Sequence, residues 1–147
     1  MQIETRLISA AEARTVRAPI LRAGFPPESA IFDGDDAHET THFGAFFGGE
    51  LAGVVSIYRV PFPGEDGHDD WQLRGMAVTA ERQRQGVGEV LLKTCLASVR
   101  GASGKRIWCN ARTPAVPFYV KNGWKVVGEE FEIPTAGPHF RMWISVI

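Results

Sequence analysis

Nothing in this chain constrains its fold more than the stretch from Trp71 to Arg100. Trp71 and Leu73 share one strand face, but Met76 and Val78 fall on the opposite parity. A strand with one buried face keeps a period of two, so the slip predicts a β-bulge near Arg74-Gly75 in a strand over Trp71–Val78. Such a bulge bends the strand and leaves backbone groups outside the ladder. Downstream, Val87, Val90, Leu91, Leu92, Cys95, Leu96 and Val99 form a broad apolar stripe at helical spacing, which predicts a helix over Gly86–Arg100.

The loop between them, Gln83-Arg84-Gln85-Gly86-Val87-Gly88, is a candidate anion site. Its glycines let the backbone approach a ligand closely. The first-turn N–H groups lack partners within the helix, and the helix dipole adds positive potential. Arg82 and Arg84 lie nearby as counter-charges. The loop has no Gly-Lys-Ser/Thr, so it is no Walker loop. Gly86-Val87-Gly88-Glu89-Val90-Leu91 lacks the third glycine of a dinucleotide fingerprint, and no acidic ribose ligand follows at the expected spacing. Taken alone, these residues fit a phosphate loop and a ligand-free glycine turn equally well.

The rest of the chain alternates strands and helices. Ile3, Thr5 and Leu7 alternate with polar residues over Gln2–Ile8, a first strand. Ser9 and Glu12 have capping-box spacing, which predicts a helix over Ala10–Leu21. Gly24–Asp36 reads as a loop or broken helix. Thr41–Phe47 and Leu51–Val60 are strand-like and flank Gly48-Gly49, a hairpin signal. Pro61–Asp70 is a loop and Arg106–Asn110 a short strand. Pro114–Lys121 reads as a short helix, with Thr113 as N-cap and Asn122-Gly123 as a left-handed cap. Trp124–Ile133 and His139–Ile147 complete a mixed sheet with helices on its faces. With no internal repeat or linker, one domain over residues 1–147 is expected.

Composition excludes several classes. A net charge of −1 gives no global basic field for nucleic acid or anionic membrane. No apolar run approaches a membrane span, and Met1–Arg6 has neither an apolar stretch nor a cleavage site. Cys95 and Cys109 sit in apolar surroundings and form no CxxC pair. They read as small core residues in a reducing compartment, hence a cytoplasmic protein.

Three motifs in order carry a resemblance. Gln83-x-x-Gly86-x-Gly88 follows the bulged strand, and Phe118-Tyr119-Val120-Lys121-Asn122-Gly123-Trp124 follows later, with Ala115 at a small position. Over about Leu51–Ile147 the chain resembles the GNAT superfamily of N-acetyltransferases. The resemblance implies an α/β fold: a mixed, mostly antiparallel central sheet of about seven strands, flanked by helices, with a bulged fourth strand. It implies acetyl-CoA as cosubstrate, with no metal. The backbone of Met76, Ala77 and Val78 pairs with the pantetheine arm, and a bulge N–H, that of Met76 or Ala77, stabilises the oxyanion. The amides of Gln85, Gly86, Val87 and Gly88 hold the pyrophosphate, with Gln83 and Arg84 in the same loop. Tyr119 protonates the departing thiolate; a phenol with pKa of about 10 can give a proton to a thiolate whose acid has pKa of about 8.5. Its bland alternative is an aromatic that packs its helix onto the sheet.

The acceptor side departs from the family. Gln72 stands where several members carry a glutamate that deprotonates the acceptor amine, and its amide cannot act as that base. Arg112 stands where asparagine is frequent, and Asn110 is the substitute contact to pantetheine. The proton acceptor is therefore sought in His139, His42 or water relays. Arg74, beside the reaction centre, is a candidate for an acceptor carboxylate, with Arg22 and Asp36 on the same side. His38, His42, His139 and the loop aspartates show no metal-ligand spacing. The expected partner is the amine of a small molecule or peptide, attacked directly, with exposed strand edges open to a homodimer. The competing reading, favoured by Gln72, is an acyl-CoA-binding module without turnover.

Overall fold

In the computed structural model, residues 2–147 are described. Seven strands form one sheet: β1 (Ile3–Ile8), β2 (Thr41–Phe47), β3 (Glu50–Tyr58), β4 (Asp70–Val78), β5 (Arg106–Arg112), β6 (Lys125–Ile133) and β7 (Gly137–Ser145). Their order is β1-β2-β3-β4-β5-β7-β6, and all neighbours are antiparallel except β4 and β5. Three helices complete the fold: α1 (Ala10–Leu21), α2 (Val87–Gly101) and α3 (Val116–Lys121). The sheet is thus mixed and mostly antiparallel, as expected.

Local chemistry sets the element ends. The Ser9 hydroxyl accepts from the Glu12 N–H at 3.0 Å, and the Glu12 carboxylate accepts from the Ser9 N–H at 2.9 Å. This reciprocal box starts α1 where the sequence places it. At the other end of the chain the expectation fails. Thr113–Ala115 form a 3-10 turn, α3 starts only at Val116, and the Thr113 hydroxyl donates to Glu130 instead of capping. Pro117 explains the delay. A helix capped at Thr113 needs its first internal bond from the N–H of residue 117, which proline lacks. Starting at Val116 puts Pro117 in the first turn, where no donor is required. Gly123, at φ 92°, then ends α3, with the Trp124 N–H donating back to the Tyr119 carbonyl at 3.0 Å.

The two sheet faces differ. On one, Phe43, Val55, Ile57, Trp71 and Leu73 pack against Val87, Leu91, Cys95 and Val99 of α2 in one continuous core. On the other, Ala13 and Val16 of α1 meet Val54 and Ala77. The bulge reconciles β4 with this division. Val54 pairs with Ala77 and Ser56 with Arg74, so Gly75 and Met76 together oppose Val55 alone. With one residue inserted, Met76 and Val78 join Trp71 and Leu73 on the α2 face. Gly75 carries the bulge at φ 69°, and a Cβ there would lie 2.8 Å from Arg17 Nε.

Candidate active site

The bulge opens the sheet. β4 and β5 pair only through Asp70–Arg106, Trp71–Ile107 and Gln72–Trp108. Beyond Gln72 the pairing stops, although β4 continues to Val78 and β5 to Arg112. A cavity of about 490 Å³ fills this fork, lined by Leu73 to Met76 on one arm and Cys109 to Arg112 on the other. Met76 also lines a second cavity of about 430 Å³ at the start of α2, so the two meet at the bulge.

That second cavity is the loop read as an anion site. Met76, Val78, Gln83, Arg84, Gly86, Val87 and Gly88 line it. Arg84 and Gly86 both have positive φ, at 65° and 85°, which turns the chain sharply into α2. Two side chains brace the turn: the Gln83 amide donates to the Val78 carbonyl at 3.0 Å and the Gln85 amide to the Glu81 carbonyl at 2.9 Å. Gln85 and Ala77 are not among the lining residues; Ala77 is buried beneath α1. Gly88 must be small, because a Cβ there would lie 3.0 Å from the Phe118 ring. Arg82 and Lys121 add positive charge to the lining, against Glu89. Lys121 is a lining residue that the sequence does not single out, although it belongs to the Phe118–Trp124 motif.

Tyr119 is buried and reaches the fork cavity. Its ring stands edge-on to Phe118 and Trp124, each at 5.2 Å. Among the described residues its hydroxyl has no hydrogen-bond partner, so it is free to serve a ligand. Burial, then the neighbouring Cys109 and Cys95, hold the phenol well above its ordinary value of 10, so it is a proton donor at neutral pH. Burial also pushes the Cys95 thiol up to about 12 and the Cys109 thiol well up. Neither is a thiolate nucleophile.

On the α1 side, the structure gathers Gln72, Arg74, Asn110 and His139 around the same cavity, with Arg22 and Arg112. Asn110 accepts from Arg141 Nε at 3.3 Å through its carbonyl oxygen, which leaves its amide hydrogens available. His139 is buried and its Nδ1 lies 2.7 Å from the Gly137 carbonyl. A carbonyl only accepts, so Nδ1 is the donor, and in the Nδ1–H tautomer the lone pair lies on Nε2. His42 is not part of this group. Its Nε2 donates to the Asp35 carbonyl at 2.9 Å and its Nδ1 contacts the Ser56 hydroxyl at 2.6 Å. Both nitrogens are engaged in a buried network, and Asp36 is exposed outside the cavity lining.

That network escaped the sequence reading. Arg17 is fully buried and donates to both Asp35 oxygens, at 2.7 and 3.0 Å, to Ser56 at 2.9 Å and to Tyr58 at 3.0 Å. Burial opposes ionisation of Asp35, but bonds from Arg17, Tyr58 and the Phe32 N–H outweigh it and bring its carboxyl down to about 2. The signal was present: Arg17 sits within the α1 stripe of Ala13, Val16 and Ile20. Among the described residues, no group of three or more His, Cys, Asp or Glu side chains is gathered to hold a metal ion. No helix there is long and apolar enough to cross a membrane.

The sequence matches the Acetyltransferase (GNAT) family over residues 9–124. The chain belongs to the GNAT acetyltransferase family. Its relatives include YitI of Bacillus subtilis (strain 168), described as an uncharacterized N-acetyltransferase, 31% identical over 141 residues that cover 96% of this chain and 95% of that one. Solved GNAT structures share the fold. Ard1 from Thermoplasma volcanium superposes with a TM-score of 0.81 at 17% identity, covering 100% of this chain and 99% of that one. An aminoglycoside 6'-N-acetyltransferase complexed with coenzyme A superposes at 0.77 with 16% identity, covering 100% and 98%. This GNAT protein is therefore an acyltransferase. Its residues also fit a coenzyme A thioester: a glycine turn at a helix start suits a pyrophosphate, and a fork of unpaired strand suits an extended amide arm.

Proposed function

We propose that residues 1–147 act as one acetyl-CoA-dependent N-acetyltransferase domain that moves an acetyl group to the amine of a small molecule or peptide by direct attack. The observation that carries this is the meeting of both cavities at Met76, with the partnerless Tyr119 hydroxyl at the fork. In this reading, the amides of Gln85 to Gly88 hold the pyrophosphate and the backbone of Met76 to Val78 pairs with the pantetheine arm. The amide of Asn110 contacts the arm from β5. The N–H of Met76, outside the β3–β4 pairing, faces the oxygen that gains charge as the C–N bond forms. Tyr119 gives its proton to the sulfur as the C–S bond breaks. His139 Nε2 takes the proton that the attacking amine sheds. Two buried free thiols support a cytoplasmic setting, and Val126 and Val127, exposed on the edge strand β6, support pairing with a second copy.

Thiol release from acetyl-CoA across a panel of amines tests the reading. We expect release with wild type and a fall of roughly 10²- to 10⁴-fold in kcat for Tyr119→Phe, with coenzyme binding by calorimetry unchanged. Coenzyme binding without release for any amine would favour the acyl-CoA-binding module to which Gln72 points.

A further inference from the structure

We propose that the amine acetylated at this site carries an anionic oxygen group, a carboxylate or phosphonate near the amine, gripped by Arg22, Arg74 and Arg112. This rests on the transferase reading above and names its acceptor class. All three arginines line the fork cavity, and no aspartate or glutamate lines it with them. Three guanidinium carbons crowd one ring: those of Arg17, Arg22 and Arg74 lie 4.1, 5.0 and 4.9 Å from the centre of Phe32. Arg17 is neutralised by Asp35, and the same carboxylate is 3.8 Å from Arg14. Among the described residues, Arg22, Arg74 and Arg112 have no carboxylate partner. Arg22 gives Nε and Nη1 to the Ser29 and Leu21 carbonyls, and Arg74 gives Nη1 to the Asp33 carbonyl. Nη2 of each is uncommitted. Arg112 lies opposite His139 in the β5–β7 register, on the same side of the sheet.

Backbone carbonyls position the Arg22 and Arg74 guanidinium groups without cancelling their charge. Burial first, and then repulsion from Arg112, Arg74 and Arg17, lower the pKa of Arg22, the mark of a crowded positive site. It remains charged, since arginine does not lose its proton in proteins. An anion relieves this crowding, and the planar donor forks suit carboxylate and phosphonate oxygens. A polycationic amine meets repulsion instead. The same field favours a neutral amine over its ammonium, which eases the task of a site with Gln72 in place of a carboxylate.

The test is acetyl transfer to amino acids, their carboxamides, aminoalkylphosphonates and spermidine, read as thiol release. The carboxylate or the phosphonate series should exceed the carboxamides in kcat/KM by roughly tenfold to a hundredfold, and the better series identifies the group. Arg22→Gln, Arg74→Gln and Arg112→Gln should raise KM for that acceptor and narrow the preference, with coenzyme binding unchanged. Arg74→Lys should recover part of the loss. A preference for carboxamides or spermidine, or a preference that survives all three Gln substitutions, overturns the inference while transfer itself stands. If no amine is acetylated, the transferase reading fails separately. Calorimetry of N-acetyl amino acids and N-acetyl aminophosphonates against their neutral analogues on the coenzyme-loaded protein then decides. Tighter anion binding that the Gln substitutions abolish supports the arginine site, and equal or absent binding overturns it.

Discussion

The two faces of the sheet are held by different physics. Under α2, a continuous apolar core runs from Phe43 to Val146 with interlocking Leu91, Ile107 and Met142 fully buried. Under α1, the apolar contribution is small, and the centre is the Arg17–Asp35 pair with Ser56, Tyr58 and His42 around it. The site divides the same way. On the α2 side, the Gln83–Gly88 loop is built from glycines and backbone turns; on the α1 side, the cavity is shaped by charged side chains. Shape holds one half and charge pairing the other.

The largest expected effect tests the charged half. Asp35→Asn leaves Arg17 buried and unpaired, and should cost about 3–5 kcal/mol of stability in denaturant unfolding. A loss below about 1 kcal/mol would mean that charge does not hold this face. The apolar half should answer to volume. Leu91→Ala, at 0% exposure, should cost about 3 kcal/mol. The smallest effect sharpens the contrast through pH. The Asp35 carboxyl sits at about 2, below its usual 3.8. Its contribution is therefore complete above about pH 4 and lost as pH falls towards 2, on the order of 2 kcal/mol. Leu91→Ala should keep this acid slope and Asp35→Asn should lose it; an unchanged slope in Asp35→Asn would remove Asp35 as its source.

The same division decided what could be read from residues alone. The α2 face is apolar and regular, so the parity slip at Met76 located the bulge, and the stripe from Val87 to Val99 located α2. The capping box placed α1 because its chemistry is local. Arg17 is not legible because a lone arginine on a helix reads as solvated until Asp35, Ser56 and Tyr58 arrive from other segments. His42 reads as a candidate base for the same reason: its two partners, Ser56 and Asp35, are distant in sequence. The Thr113 cap fails on a local rule, the missing donor at Pro117. Arg22 and Arg112 join Arg74 only because the fork brings α1, β4 and β5 to one cavity.

The three-pair seam between β4 and β5 has a mechanical consequence. It divides the sheet into two plates, β1 to β4 and β5-β7-β6, with little backbone stitching between them. In the proposed reading, a ligand laid along the open edges would be mortar as well as cargo. A pantetheine arm paired there as proposed would add ladder bonds where β4 and β5 have none and would brace the two plates. Resistance to heat or proteolysis in this protein should therefore track how full the fork is, because a ligand that binds only the folded state stabilises it by mass action.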